Sequence, residues 1–338
     1  MRAPVSVGVA GLGPWGSRLA RVFDDLPGAD LRWICDSSSA TVLRAKPGVR
    51  PLWSTTSFDD LLRDEGLDAI VIATPPSTHA ELAGRAVAAG KHAFVETPLA
   101  VRGSDADDLA RRAERSGRRL MAGHVLLFHP AVRRLRELVE HGELGDVYYV
   151  WADRLGPAPS GRESNVLWDL GAHDVSAILY LLGDQPVEVG ATGDAYLQPG
   201  VIDVLSASLT FATGIRAHVR LSWLEAQWAR RLTIVGSRRT AVFDDTDRSC
   251  PLTVHDSHPE GEVVSPRLPA DDPLQAECEQ FVAAIRSSQE VVAGGREGAA
   301  VVNVLEAMQR SVQCGGEPQA IGAVELERDV IRLPVRGA

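Results

Sequence analysis

Lysine is almost missing from this chain. Of 35 basic residues only Lys46 and Lys91 are lysines, and the rest are arginines. Any chemistry that needs an amine has two candidates. Cysteine is scarce too. Cys35, Cys250, Cys278 and Cys314 form no CxxC pair and are too few to staple 338 residues, so free thiols in a reducing cytoplasm are expected. No run approaches about 18 uninterrupted apolar residues, which argues against a transmembrane helix and a membrane partner. The start, MRAPVSVGVAGLG, lacks a small-residue cleavage site and reads as a mature strand rather than a signal peptide. Positive charge is in deficit, with a formal net charge of −10, which argues against a nucleic-acid partner. The run Arg111, Arg112, Arg115, Arg118 and Arg119 then reads as a solvated helix face.

The composition that remains, 45% hydrophobic and 24% charged, is that of a globular protein, and the length suggests two domains. Up to Gly123, short β-branched runs alternate with amphipathic segments. Strands are expected at Val5–Ala10, Asp30–Cys35, Ala69–Ala73, His92–Val95 and Leu120–Gly123. Helices are expected at Pro14–Phe23, His79–Ala89 and Ser104–Ser116. Strands alternating with helices imply βαβ units and a parallel sheet. Beyond Gly123 come helices from Pro130 and over Asn165–Leu182. Strand-like runs follow at Val147–Trp151, Val187–Thr192, Val204–Phe211, Ile215–Trp223, Arg231–Val235 and Thr240–Phe243. Short turns link many of them, as in an antiparallel or mixed sheet. Asp256–Pro273 reads as a surface connection, and two helices close the chain. The fold class is therefore α/β: an N-terminal Rossmann domain over 1–123, and over 124–338 an α/β domain with an open, largely antiparallel sheet.

The strongest motif is GLGPWG, with Gly11, Gly13 and Gly16 in GxGxxG spacing between a strand and a helix, and Asp36 twenty residues after Gly16 at the end of the second strand. This is the context of dinucleotide binding. Gly11 permits the turn, Gly13 lets the backbone approach a pyrophosphate, and Gly16 allows close helix–sheet packing. Pro14 suits a first helical turn, and with Trp15 it sits in the phosphate-facing loop. The Asp36 carboxylate suits ribose hydroxyls and repels a 2′-phosphate. NAD is the expected cofactor, with NADP left open by Ser37, Ser38 and Ser39.

ATPPSTHAELAGRAVAAGKHAFVETPLA (Ala73–Ala100), GHVLLFHPAVRRLRELVEHGELGDVYYV (Gly123–Val150) and NVLWDLGAHDVSAILYLLG (Asn165–Gly183) together resemble the glucose–fructose oxidoreductase, inositol dehydrogenase and rhizopine-catabolism (Gfo/Idh/MocA) family. The wording of NVLWDLGAHD and RRLTIVGSRRTAVFDD is most similar to sugar and nucleotide-sugar dehydrogenases. The resemblance implies that Thr74, Pro75 and His79 form a turn over the cofactor, and that Glu96 contacts the nicotinamide-side ribose. It also implies that Asp169 and His173 are catalytic. Their i, i+4 spacing puts both on one helix face, where a carboxylate can raise and orient an imidazole. Spacing alone leaves an ion pair, a metal site or a core histidine open. His255 and His258 read as solvated rather than metal-bound, and no metal is expected.

The chain departs from the family at Thr97, where the usual Glu-Lys-Pro motif has its lysine. Lys91 lies at the wrong end of the same strand to replace it, so Thr97 is expected to act as a hydroxyl donor. The resemblance also points to substrate contacts near Arg154, Arg162 and Asn165. Trp168 and Tyr148 are candidates to stack on a sugar, although core packing competes. His124 reads equally as a substrate-facing or a structural histidine. The expected function is NAD(P)-dependent hydride transfer between nicotinamide and a secondary alcohol or ketone of a sugar or nucleotide-sugar, in a homodimer or homotetramer. A reductase of C=N or carbonyl groups on a non-sugar natural product, and a cofactor-binding protein without turnover, are the alternatives.

Overall fold

A computed structural model describes residues 3–158, 165–258, 261–287 and 289–322. The chain divides into two compact units. The first runs to Phe128 and takes in Asp271–Val302; the second holds His129–Ala270 and the described residues from Asn303 onward.

The first unit opens with β1 (Val5–Ala10), α1 (Pro14–Asp25), β2 (Ala29–Cys35), α2 (Ser39–Ala45), β3 (Trp53–Thr55), α3 (Phe58–Arg63) and β4 (Ala69–Ile72). It continues with α4 (His79–Ala88), β5 (His92–Val95), α5 (Gly103–Arg115) and β6 (Leu120–Ala122). All strand pairs are parallel, in the order β3-β2-β1-β4-β5-β6. Every residue of β1 and β4 is buried, as strands covered on both faces by helices must be. The order reverses between β1 and β4, and ligands of such sheets bind outside the carboxyl ends of the strands at that reversal. Lys91 sits at the opposite, amino end of β5. It is buried, and its Nζ donates to the Asp64 and Leu67 carbonyls at 2.6 and 2.8 Å. One of the two lysines is thus spent on holding backbone.

The second unit begins with α6 (Pro130–Glu140), β7 (Val147–Pro157) and α7 (Val166–Leu182). Strands β8 (Pro186–Asp194), β9 (Val204–Phe211), β10 (Arg216–Ser222), β11 (Leu224–Gly236), β12 (Arg239–Asp244), β13 (Leu252–Asp256) and β14 (Val263–Val264) follow. With β15 (Gln319–Ala320), the described strands form one sheet ordered β14-β13-β12-β11-β7-β10-β9-β8-β15. Only β7 and β10 pair in parallel. The sheet is larger than the apolar runs suggest. β7 continues six residues past Trp151 and β11 begins seven before Arg231, because charged side chains interrupt the alternation there. β14 lies within the stretch expected to be a plain connection.

Arg154 explains the hidden half of β7. Its guanidinium makes two bonds to Asp174 of α7, Nε–Oδ2 at 2.7 Å and Nη2–Oδ1 at 3.1 Å, with both side chains nearly inaccessible. The charge that looks like a surface or substrate group instead ties α7 to the sheet.

Two more helices, α8 (Pro273–Ser287) and α9 (Gly295–Gln313), follow the second sheet. α8 and the first part of α9 belong to the first unit. A single boundary at residue 123 therefore differs from the observed division, which falls after Phe128 and returns at Asp271. The cause is apolar burial. Phe281 of α8 packs edge-on against Phe94 of β5 and Phe23 of α1, with ring centroids 5.6 and 6.5 Å apart.

Breaking one partner of a buried ion pair leaves an uncompensated charge and costs about 3–5 kcal/mol. Arg154→Ala is expected to lose stability in that range in urea titrations. A loss within about 0.5 kcal/mol, typical of surface substitutions, would return Arg154 to the solvent-facing role.

Candidate active site

The glycine loop has the shape its spacing implies. Gly11 has φ +88°, a left-handed conformation open to glycine, and a β-carbon there would strike the Ala73 carbonyl. At Gly16 a β-carbon would strike the carbonyl of Gly11, so α1 can enter against the turn only without a side chain. Nothing lies within 4 Å of the β-carbon position of Gly13. Gly13 is the N-cap of α1 and makes no side-chain cap, and Pro14 opens the helix. Gly13, Pro14 and Trp15 are exposed. The N–H groups of this twelve-residue helix therefore face open space, which suits a pyrophosphate.

Asp36 closes one side of the loop. Its Oδ2 accepts from Leu12 N–H and its Oδ1 from Ser38 N–H, both at 2.9 Å. Glu96 closes the other side from the carboxyl end of β5. It accepts from the Trp15 indole Nε1 and, at 3.3 Å, from Thr97 N–H. Desolvation pushes the Glu96 carboxyl up to about 7, against the lowering by those two donors. Thr97 is half-buried beside it. The Trp15–Glu96 bond links the glycine loop to the second motif and is not visible in either motif alone.

Thr74 and Pro75 form the turn after β4, where Thr74 Oγ1 lies 2.7 Å from Thr78 Oγ1. His79 stands behind this turn, not on it. It is 1% exposed, with Nδ1 2.8 Å from the Pro98 carbonyl and Nε2 2.7 Å from the Thr74 carbonyl. It clamps the turns after β4 and β5 together, so the expectation that it touches the cofactor is corrected to support of the residues in front. The fit to a dinucleotide otherwise rests on features of the chain: an open cradle at Gly13, free helix N–H groups and a carboxylate at Asp36.

In the second unit, Asp169 and His173 lie one turn apart on α7. The Trp223 indole Nε1 donates to Asp169 Oδ2 at 3.3 Å. Desolvation raises the Asp169 carboxyl above its ordinary range, against that bond. His173 is half-buried, as is Trp168 in the first turn of the helix.

Three expected substrate residues have other work. Arg154 is held by Asp174. Asn165 is the N-cap of α7, accepting from Leu167 and Trp168 N–H at 3.1 and 3.2 Å and donating to Gln309 Oε1 at 2.8 Å. Capping of this kind is what Asn before an apolar helix most often does. His124 is 1% exposed, burial drives it to about 4, and it is corrected to a neutral interior histidine. Arg162 lies outside the described residues. Tyr148 is exposed. On the helices, two buried acids escaped notice, Asp174 and Glu277. Each interrupts an apolar helix face, which was the available signal.

Residues 5–124 match the description "Oxidoreductase family, NAD-binding Rossmann fold", and residues 132–242 match "GFO/IDH/MocA C-terminal domain". The chain is 33% identical over 272 residues to UDP-N-acetylglucosamine 3-dehydrogenase of Acidithiobacillus ferrooxidans, covering 76% of this chain and 83% of that one. It is 27% identical over 265 residues to inositol 2-dehydrogenase of Rhizobium meliloti, covering 73% and 78%. A solved structure of the Acidithiobacillus ferrooxidans dehydrogenase matches with TM-score 0.83 at 29% identity, over 93% of this chain and 99% of that one.

The loop separates two glycine substitutions. Gly13→Ala meets open space and is expected to leave stability within about 0.5 kcal/mol, while its methyl weakens NADH binding by tenfold or more. Gly16→Ala is expected to lose both stability and binding. Thermal unfolding and NADH fluorescence titration read the two effects, and equal loss of stability would contradict the division of roles.

Proposed function

The chain belongs to the Gfo/Idh/MocA family of NAD-binding oxidoreductases, and from that premise we propose that it moves a hydride between NAD and a secondary alcohol or ketone of a sugar or nucleotide-sugar. The observation that carries this reading is the Asp169–His173 pair on one face of α7, in a chain whose first unit has an open dinucleotide cradle. The nucleotide-sugar preference draws on the 33% identity to a UDP-N-acetylglucosamine dehydrogenase.

Gly13 and the first N–H groups of α1 hold the pyrophosphate, Asp36 the adenine-side ribose, and Glu96 the nicotinamide-side ribose. Bound NAD supplies a hydride acceptor, and its reduced form a donor. In the oxidation direction a ring nitrogen of His173 takes the hydroxyl proton as the hydrogen on carbon leaves with its electron pair. Asp169 orients the imidazole or holds a neighbouring substrate hydroxyl. Thr97 offers one hydroxyl donor where the family has lysine. It carries no charge and does not ionise near neutral pH, so proton transfer falls to His173. Asp36, by repelling a 2′-phosphate, favours NAD over NADP. The protein works in the cytoplasm. Tyr149 and Trp151 lie exposed on β7, which supports a homo-oligomer formed through that sheet; a monomer in sedimentation would count against it.

The test is turnover on a panel of sugars and nucleotide-sugars with each cofactor. Activity with NAD exceeding that with NADP is expected, and His173→Ala is expected to lose about 10²–10⁴-fold, the range for a positioned acid–base group, with NADH affinity retained. A variant keeping most of its activity would remove His173 from the reaction.

A further inference from the structure

Glu277 has no part in the reaction described so far, yet it is completely buried. Both of its carboxyl oxygens lack a hydrogen-bond partner among the described residues. A buried polar group without a partner is rare enough in folded proteins to require an explanation.

The packing of α8 says what Glu277 faces. Arg286 and Val282, near the end of the helix, lie against Gly28, just before β2 at the amino edge of the parallel sheet. Phe281 meets Phe94 in the middle of β5. α8 therefore runs opposite to the strands. One turn back from Phe281, about 6 Å along a helix, is Glu277. Two residues on from Phe94, about 6–7 Å along a strand, is Glu96. The aromatic contact brings the two carboxyls to the same level, at the carboxyl end of the sheet.

Glu96 belongs to the nicotinamide side of the site. Asp36 and β2 lie on one side of the β1–β4 reversal and β5 on the other, so a dinucleotide held by Asp36 at one end extends toward Glu96 at the other. We propose that Glu277 is a positioning residue for Glu96: its carboxyl, unpartnered in this structure, stays a neutral acid and turns its O–H to the Glu96 carboxylate when that group ionises beside bound oxidised nicotinamide, and the single negative charge so held favours the positively charged oxidised nicotinamide over the neutral reduced one. This rests on the reading of the first unit as the NAD-binding unit.

The surrounding charges agree. Burial, and after it the Glu96 charge, hold Glu277 well above the carboxylate range, so it keeps its proton. Glu96 is poised near neutrality. From α1 the neighbour of Glu96 is the neutral indole of Trp15. From the end of β6, Gly123 packs against Glu96, and the buried His124 that follows is neutral at any pH above about 4. On α8 itself the Cys278 thiol is kept protonated by burial, reinforced by Glu277, Glu96, Asp272 and Glu279.

The consequence is linkage. Binding of oxidised NAD favours ionised Glu96, so it releases a proton to solvent when Glu96 is protonated beforehand. Affinity for NAD+ then rises with pH up to about 7 and levels off above it, by at most about tenfold per pH unit. Affinity for NADH stays nearly flat.

The experiment is calorimetric or fluorescence titration of the whole protein with NAD+ and NADH separately, from about pH 5.5 to 8.5, a span chosen to bracket a carboxyl poised near neutrality. Glu277→Gln keeps an N–H donor and is expected to keep the wild-type profiles. Glu277→Leu removes the donor, moves the NAD+ midpoint upward by about one pH unit and so weakens NAD+ about fivefold at pH 7, while NADH binding reports an intact fold. Glu96→Gln flattens the NAD+ profile. The proposal is overturned if Glu277→Leu matches wild type, if Glu277→Gln fails as Glu277→Leu does, or if Glu96→Gln keeps the pH dependence. Loss of both cofactors from the unaltered protein would instead overturn the functional reading on which it rests.

Discussion

The absence of a side chain at Gly16, where a β-carbon would collide with the Gly11 carbonyl, sets the geometry on which the rest of the first unit depends. With any side chain there, α1 would stand off from β1 and its N–H groups would point elsewhere. With none, the loop turns from the end of β1 into α1 close against the Ala73 carbonyl after β4, and it is fastened on both flanks. Leu12 N–H is held by Asp36 on the β2 side. The Trp15 indole is held by Glu96 on the β5 side. Asp36 and Glu96, the two carboxylates proposed for the two riboses, are thus also the anchors of the loop between them. Binding groups held by their own hydrogen bonds lose little freedom when a ligand arrives.

The shortage of lysine shapes the chemistry left available. Lys91 is committed to two carbonyls at the far end of β5, and Lys46 is exposed in the turn after α2. Thr97, half-buried beside Glu96, brings no positive charge to it. Burial raises the Glu96 carboxyl, and in the proposed reaction proton transfer is left to His173. The second unit relies on arginine for structure in the same spirit, as Arg154 pins α7 through Asp174 and so fixes the helix that carries Asp169 and His173.

Much of this was legible in the residues. Apolar runs place β1 and β4, and helical spacing α1 and α7, within a residue or two, because the apolar residues there are the buried ones. GxGxxG followed by Asp36 carries a geometric reason at each position, and the loop has that geometry. What stayed hidden was long-range pairing. Arg154 and Asn165 have the chemistry of ligands, and only a partner twenty residues away, or a helix start one residue away, reveals them as ion pair and cap. β7 and β11 run past their apolar cores because their charged residues find partners on neighbouring strands and helices. The return of Asp271–Val302 to the first unit depends on Phe281 meeting Phe94, a contact between segments far apart in sequence.

The central claim is direct hydride transfer between nicotinamide and a carbon of the substrate. It is tested by reducing the ketone form of an active substrate in a single turnover with NADH deuterated at C4, and locating the label by NMR. The account predicts deuterium bonded to the new carbinol carbon, one atom per molecule. NADH consumption with only solvent hydrogen at that carbon would contradict it.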